Sequence, residues 1–397
     1  MTEIIEKIKE LSNQFFPEIQ GIRHHLHAHP ELSFEEFETA NFIESKLKAL
    51  GFTETERVAN TGVSFILKGN GHSEKVIALR ADIDALPIIE ANKVSYKSTN
   101  EGVMHACGHD VHTSSLLGAI MILKALQDDL DGDIKIIFQP GEERLPGGAS
   151  MMIKEGILEN PKPARILGQH VMPFIDSGKV GFRKGMYMAS ADEIYFTVTG
   201  KGGHAAMPEN LVDPVLITSH IIVALQQIIS RNSSPKIPSV LSFGKVNANG
   251  ATNVIPNEVK VEGTFRTYDE EWRADAHLKM KKMAEGIAEA MGAKCDFDVR
   301  KGYPHLKNHP EYTQSNIDAA KLYLGEDNVE EIDLWLAGED FAFYSHHVDA
   351  CFYRLGTRNE SKGIISGVHT PTFDIDEDAL KIGMGLMAWL AINELKQ

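Results

Sequence analysis

The stretch DEIYFTVTGKGG, residues 192–203, starts as an alternating strand and runs out into glycines, and at this point the rhythm of the chain changes. From here the order reads strand, helix (Pro214 to Ser230), strand (SVLSFGKVNANG), strand (EVKVEGTFRTY), helix (Arg273 to Met291) and strand (KCDFDVR). That succession is a βαββαβ unit of the ferredoxin-like type.

The chain on either side reads differently. Upstream, GVSFILKG, KVIALRADI, DIKIIFQP and ARILGQHV are short apolar runs separated by helical segments such as SSLLGAIMILKALQ. This is the pattern of a mostly parallel sheet with helices on its faces. Two helices precede the first strand, and the second, SFEEFETANFIESKLKALGF, starts with Ser33 as an expected N-cap and Glu36 three residues later, the capping-box spacing. After Gly302 the α/β character resumes and the chain ends in DEDALKIGMGLMAWLAINELK, expected as an amphipathic helix. The expected fold is therefore α/β, a mostly parallel-sheet domain carrying an inserted ferredoxin-like α+β satellite. Its boundaries are 1–186, 187–302 and 303–397, with linkers at Arg183 to Ser190 and Lys301 to Pro304.

Composition narrows the class of partner. The 397 residues are 43% hydrophobic and 24% charged, close to the average for soluble domains, and no uninterrupted apolar run approaches the roughly 18 residues of a membrane span. The formal charge of −16 argues against nucleic acid or an anionic membrane, which call for clustered Lys and Arg. MTEIIEKIKE lacks the basic, apolar and cleavage regions of a signal peptide, so a cytoplasmic setting is expected. Cys107, Cys295 and Cys351 are odd in number and scattered, so reduced thiols are expected.

Four polar clusters follow or flank the apolar runs, where open sheets of this kind gather ligands. MHACGHDVHTS places Cys107 two residues before His109, spacing that turns both to one side if extended, and thiolate with imidazole suits zinc and related ions. Taken alone it could equally be a zinc-ribbon fragment, a thiol nucleophile or a wall of a hydrolytic site, although the second Cys-x-x-Cys of a ribbon is missing. FQPGEER puts Glu142 and Glu143 after a strand and a glycine. Adjacent side chains on extended backbone diverge, so one carboxylate could hold metal while the other takes a proton. GQHVMP brings His170 to another strand end, and SGVHTPTF places His369 before a proline.

These motifs, with HLHAHPELSFEE, LRADIDALP, GKGGHAAMP, ATNVIPNEV, GTFRTY and GEDFAFY in the same order, resemble the metallo-aminoacylase and carboxypeptidase superfamily of dinuclear metallopeptidases. Within it they resemble the amidohydrolase branch: hippurate hydrolases, auxin-conjugate hydrolases, N-acyl-amino-acid amidohydrolases and N-acetyl-diaminopimelate deacetylases. The resemblance implies that Cys107, His109, Glu143, His170 and His369 bind two divalent ions per subunit, zinc or manganese foremost, with cobalt or nickel as alternatives. Cys107 stands where other branches use a bridging aspartate. Arg80 replaces the superfamily's first histidine before Asp82, which leaves Asp82 as a supporting residue, and His112 is implied to be a neighbour of the site.

By the same resemblance, Glu142 is the general base and acid and His204 the donor to the developing oxyanion, often supplied by the partner subunit of a dimer. Asn253 and Arg266 match positions that contact the substrate's carbonyl or carboxylate. The implied reaction is hydrolysis of the amide of an N-acyl amino acid by metal-activated water. The alternatives are a metallo-dipeptidase or carboxypeptidase with the same metal chemistry, and, from another class, a cysteine hydrolase or a silent metal-binding protein. The resemblance also implies a homodimer formed through the satellite domain, and it assigns no role to Glu339 or Asp340 of GEDF.

Overall fold

The computed structural model describes residues 2–71 and 73–396. The chain divides into two compact units. The first comprises Met1–Gly185, Lys307–Asp333 and Asp340–Gln397, and the second Met186–Leu306 with Leu334–Glu339. The chain therefore enters the second unit twice, the second time through a six-residue excursion that sequence patterning does not signal.

In chain order the first unit contributes α1 (Thr2–Ala28), α2 (Phe37–Ala49), β1 (Glu56–Val58), β2 (Gly62–Leu67), β3 (Val76–Asp82), α3 (His109–Ala125), β4 (Asp133–Gln139), α4 (Gly148–Lys154), β5 (Arg165–Asp176) and β6 (Val180–Phe182). The second unit holds β7 (Asp192–Thr199), α5 (Pro214–Gln227), β8 (Ser239–Asn247), β9 (Glu258–Thr267), α6 (Glu270–Ala290) and β10 (Lys294–Lys301). The chain then returns with α7 (Pro310–Leu324), β11 (Val329–Glu331), β12 (Asp349–Arg358) and α8 (Ala379–Leu395).

The large sheet of the first unit runs β1-β2-β4-β3-β5-β12-β6-β11. Its central pairs β4/β3, β3/β5 and β5/β12 are parallel, while β1/β2, β2/β4 and β12/β6 are antiparallel. The expected mostly parallel sheet is thus present. Every residue of β3 is buried, as befits a strand covered on both faces. The helix α3 is buried along nearly its whole length, since it lies against α1 and α8 as well as the sheet; its apolar character is accordingly all round rather than on one stripe.

In the second unit the strand order β8-β9-β7-β10 is antiparallel throughout, which is the ferredoxin-like arrangement. Ile217, Ile221, Leu225 and Ile228, spaced to share a helix face, pack into its core with Phe196, Val261 and Met280. The helical stretch Pro214–Asn232, which ends in a π-helical turn, is long and apolar enough by composition alone to cross a membrane, contrary to what uninterrupted runs suggested. Its polar residues are interspersed, so the mean hydropathy rises without a continuous apolar run.

One local expectation fails. Ser33 is not the N-cap of α2; Glu36 occupies that position and makes no side-chain capping bond. The free N–H groups of Glu38 and Thr39 donate instead to the carboxylate of Glu31, an anion placed at the positive end of the helix. Both Ser33 and Glu36 are buried and serve other partners, described below.

Candidate metal centre

The first unit brings the five expected ligands together from the start of α3, the middle of β5 and two turns. Gly108 opens α3 with φ near +80°, and a Cβ there would collide with the Val171 side chain, so the CGH turn lies flush against β5. This seats Cys107 and His109 beside His170. The Cys107 Sγ lies 3.4 Å from His170 Nε2 and 3.3 Å from His369 Nε2, and His369 Nε2 lies 3.2 Å from Glu143 Oε1. His369 is held in the left-handed region (φ 60°) while its backbone N–H donates to the Ala106 carbonyl, which ties the two loops together.

Among the groups of metal-competent atoms in the described residues, Cys107, His109 and His170 form one, and Cys107, Glu143 and His369 another. Within each the atoms lie within 4.8 Å of one another, and Cys107 belongs to both.

The free ring nitrogens are specified by hydrogen bonds on the opposite side of each ring. His109 Nδ1 is 3.0 Å from Asp84 Oδ1, which leaves its buried Nε2 without a hydrogen-bond partner. His170 directs Nδ1 at the Val171 carbonyl (2.7 Å), so its Nε2 faces Cys107. A carboxylate or carbonyl behind the ring fixes the tautomer in the way metal-ligating histidines require. His112 is the opposite case: its Nε2 accepts from the Val171 amide (2.8 Å) and its Nδ1 donates to Asp82 (2.5 Å). Both its nitrogens are spent, so it is a neighbour of the cluster.

Electrostatics also call for cations here. Burial, reinforced by Glu143, Glu142 and Asp82, pushes the Cys107 thiol well up, so a cation beside it would favour the thiolate. Burial works against a charged His109, yet Asp82 and Asp84 win and raise it to about 10. Buried unpartnered His109 Nε2, the poorly directed Glu143 Oε1 and a mixed S, N and O donor set fit divalent transition ions.

Glu142 and Glu143 depart from the expected geometry. They sit in a turn after Gly141 (φ 59°), not on extended backbone, and both carboxylates converge within 4.8 Å of the His109 nitrogen. Glu142 is buried, and its Oε1 accepts from the Asp340 backbone N–H at 3.3 Å.

Two supporting residues lay beyond sequence reasoning. Asp84 accepts from His109, from the Ser33 hydroxyl (2.6 Å) and from the Glu143 amide (2.9 Å). A second carboxylate two residues after Asp82, just past a strand end, was the available signal. Asp340 takes two bonds from Gln139 and one from the Ala149 amide, and Arg80 bridges it to Asp82. Nothing local announces that role, because its partners are some 190 to 260 positions away. Arg80, which stands in place of the superfamily's first histidine, is a fully buried structural cation.

The remaining expected residues lie in the second unit. His204 forms a two-residue strand with Gly203 opposite Val254–Ile255, and the Asn253 carbonyl accepts from Ala205, so His204 and Asn253 are neighbours on exposed backbone. Arg266, half-buried on β9, donates to Thr264 Oγ1 at 3.1 Å.

Fold and donor set together define an α/β protein with a metal-competent centre, and comparison with known proteins makes it an amide-hydrolysing enzyme. Residues 78–393 match the profile of Peptidase family M20/M25/M40. The chain is 42% identical over 360 residues to an N-acetyl-L-cysteine deacetylase of Bacillus subtilis, which covers 91% of this chain and 84% of that protein. It is 41% identical over 306 residues to an N-acyl-L-amino acid amidohydrolase of Geobacillus stearothermophilus, covering 77% and 82%. The crystal structure of the Bacillus subtilis YXEP protein, described as a dinuclear metal binding peptidase from the M20 family, superposes with a TM-score of 0.83 at 33% identity over 97% of this chain and 99% of that one. The chain belongs to peptidase family M20/M25/M40.

Proposed function

We propose that the protein hydrolyses the amide bond of N-acyl amino acids, of the hippurate or N-acetyl-amino-acid type, releasing a carboxylic acid and an amino acid. The observation that carries this is the pair of donor groups sharing Cys107, with the buried Glu142 carboxylate beside them. The names of the deacetylase and amidohydrolase relatives support the same substrate class.

In this reading Cys107, His109, Glu143, His170 and His369 would hold two divalent ions, and zinc or manganese would suit the donors. Bound ions of this kind lower the pKa of water and polarise a carbonyl. Glu142 takes the proton from the attacking water and delivers it to the departing amine, with the Asp340 amide holding its carboxylate in place. His204 donates to the developing oxyanion, and Asn253 and Arg266 contact the substrate's carbonyl and carboxylate. A homodimer through the second unit is supported by its open edge strand β8 and by Val215, Leu216 and Val223, exposed on α5. A cytoplasmic setting is supported by three free thiols.

The test is a hydrolysis panel of N-acetyl and N-benzoyl amino acids against free dipeptides, with each candidate ion restored after chelation. Turnover of acylated substrates in preference to dipeptides is expected. Preference for dipeptides would transfer the assignment to a dipeptidase, and turnover untouched by chelation would remove the metal chemistry. Light scattering checks the dimer.

A further inference from the structure

The segment Ser33–Glu36 looks like a capping box and caps nothing. Its polar atoms turn to the opposite side, against the turn that carries Glu142 and Glu143. Glu36 Oε1 accepts from the Gly141 amide (2.8 Å) and from the Phe34 amide (2.9 Å), and Oε2 accepts from the Thr61 hydroxyl (2.6 Å). Ser33 donates to Asp84, which in turn receives the Glu143 amide. Phe34 adopts φ 69°, an uncommon conformation for an aromatic residue, and its ring lies directly over Gly141, where any Cβ would collide with it. The far side of the turn is closed as well: the Gly141 carbonyl accepts from Gly148, which packs so tightly on Pro140 that it tolerates no side chain.

We propose that Glu36 is a positioning residue: with Ser33 and Phe34 it forms a bracket that fixes the Pro140–Glu143 turn and so aims Glu142 and Glu143 at the metal centre. The geometry is hard to explain otherwise. A buried carboxylate beside another carboxylate is costly unless it has work for its acceptor atoms, and Glu36 gives up helix capping to accept from the one backbone N–H that precedes the two functional glutamates. Burial and the nearby Asp84 push its carboxyl up to about 7. Glutamine at this position therefore imitates the neutral form and keeps an oxygen for both amides.

The inference rests on the catalytic reading of Glu142 and Glu143, so Glu142→Gln is measured alongside. Glu36→Ala, loaded with metal, is expected to lose roughly 10–100-fold in kcat with little change in KM, the loss produced by displacing a reacting group by about 1 Å. Glu36→Gln should stay within about threefold of wild type, because its amide oxygen still accepts both N–H groups. Amide hydrogen exchange gives a readout independent of turnover: the peptide spanning residues 139–144, like the one carrying the Phe34 amide, should exchange faster in the Ala variant and not in the Gln variant, with peptides elsewhere unchanged.

Wild-type kcat and wild-type protection in Glu36→Ala would overturn the bracket, and so would a Gln variant as impaired as Ala. If Glu36→Ala does not fold, Phe34→Ala carries the test: it removes the ring over Gly141 and should show the same local loss of protection, and full protection there would overturn the proposal. Failure of the wider catalytic reading looks different, since Glu142→Gln itself would then turn over at the wild-type rate.

Discussion

Each unit buries a cluster of carboxylates, histidines and an arginine, and the two clusters are finished differently. In the second unit Asp192 is met on all sides: Arg273 grips both oxygens, the Gly302 amide donates to Oδ1 and His277 to Oδ2 (2.7 Å). Arg273 reaches on to Glu270 and to the Gly302 carbonyl. In the first unit Asp84 is just as well satisfied, but the histidine it orients ends in a buried nitrogen with no partner, facing a thiol and a second carboxylate. The residue types are alike and both clusters centre on a buried aspartate; the open donor atom is what differs. A closed cluster is a structural cross-link, whereas a cluster that stops one atom short has a place for something the chain does not supply.

Four experiments would break or sharpen this contrast. The largest effect belongs to Glu142→Gln, for which kcat should fall by about 10²–10⁴ with the fold and metal content intact; a variant with normal kcat would remove the proton-transfer role. Next, Asp192→Ala should destabilise the protein by about 3–5 kcal/mol, since it removes the carboxylate that Arg273 grips by two nitrogens and that His277 and the Gly302 amide also use, while kcat per folded molecule stays normal. Denaturant unfolding and active-site-normalised kinetics separate the two quantities.

Asp84→Asn probes the open cluster from behind. It should cost 10–100-fold in metal affinity, roughly the effect of losing an outer partner of a ligating histidine, as measured by chelator competition. An unchanged affinity would mean that Asp84 does not orient His109. The smallest effect concerns pH. Although burial opposes it, hydrogen bonding to His305 and the charge of Arg273 hold the Glu270 carboxyl down at about 2. A depressed carboxyl adds stability that is fully present above its unfolded pKa, near 4.5, and is lost as pH falls from there towards 2. Because Glu270 is partly exposed, the contribution should be only about 1–2 kcal/mol. Equilibrium unfolding between pH 5 and 2.5 should show a shallower slope in Glu270→Gln than in wild type.

How much of this was legible in sequence depended on the range of the interaction. The alternating strand from Asp192 and the buried run of β3 announce themselves because periodicity is local, and the two sheets follow from it. The capping-box reading of Ser33 and Glu36 failed for the complementary reason. Spacing says that the pair can cap a helix, but it does not say that Gly141 and Asp84, 105 and 51 positions away, will compete for the same atoms. The same limit hid Asp340, whose backbone amide meets Glu142 across 198 positions. It also hid the turn at Gly141, which makes the two glutamates converge where extended backbone would have separated them.

By itself, then, the sequence determined the α/β character, the inserted βαββαβ unit, the supply of thiol, imidazole and carboxylate donors, and the family. Those properties are written in residue type and short-range spacing. Tertiary structure alone decided which nitrogen of each histidine is free, that His112 is spent while His109 is open, that Asp84 and Asp340 hold the donors in place, and that Glu36 serves the turn and leaves α2 to Glu31. Hydrogen-bond partners buried far apart in the chain are chosen by packing, because each buried polar atom must find a partner where the fold happens to bring one.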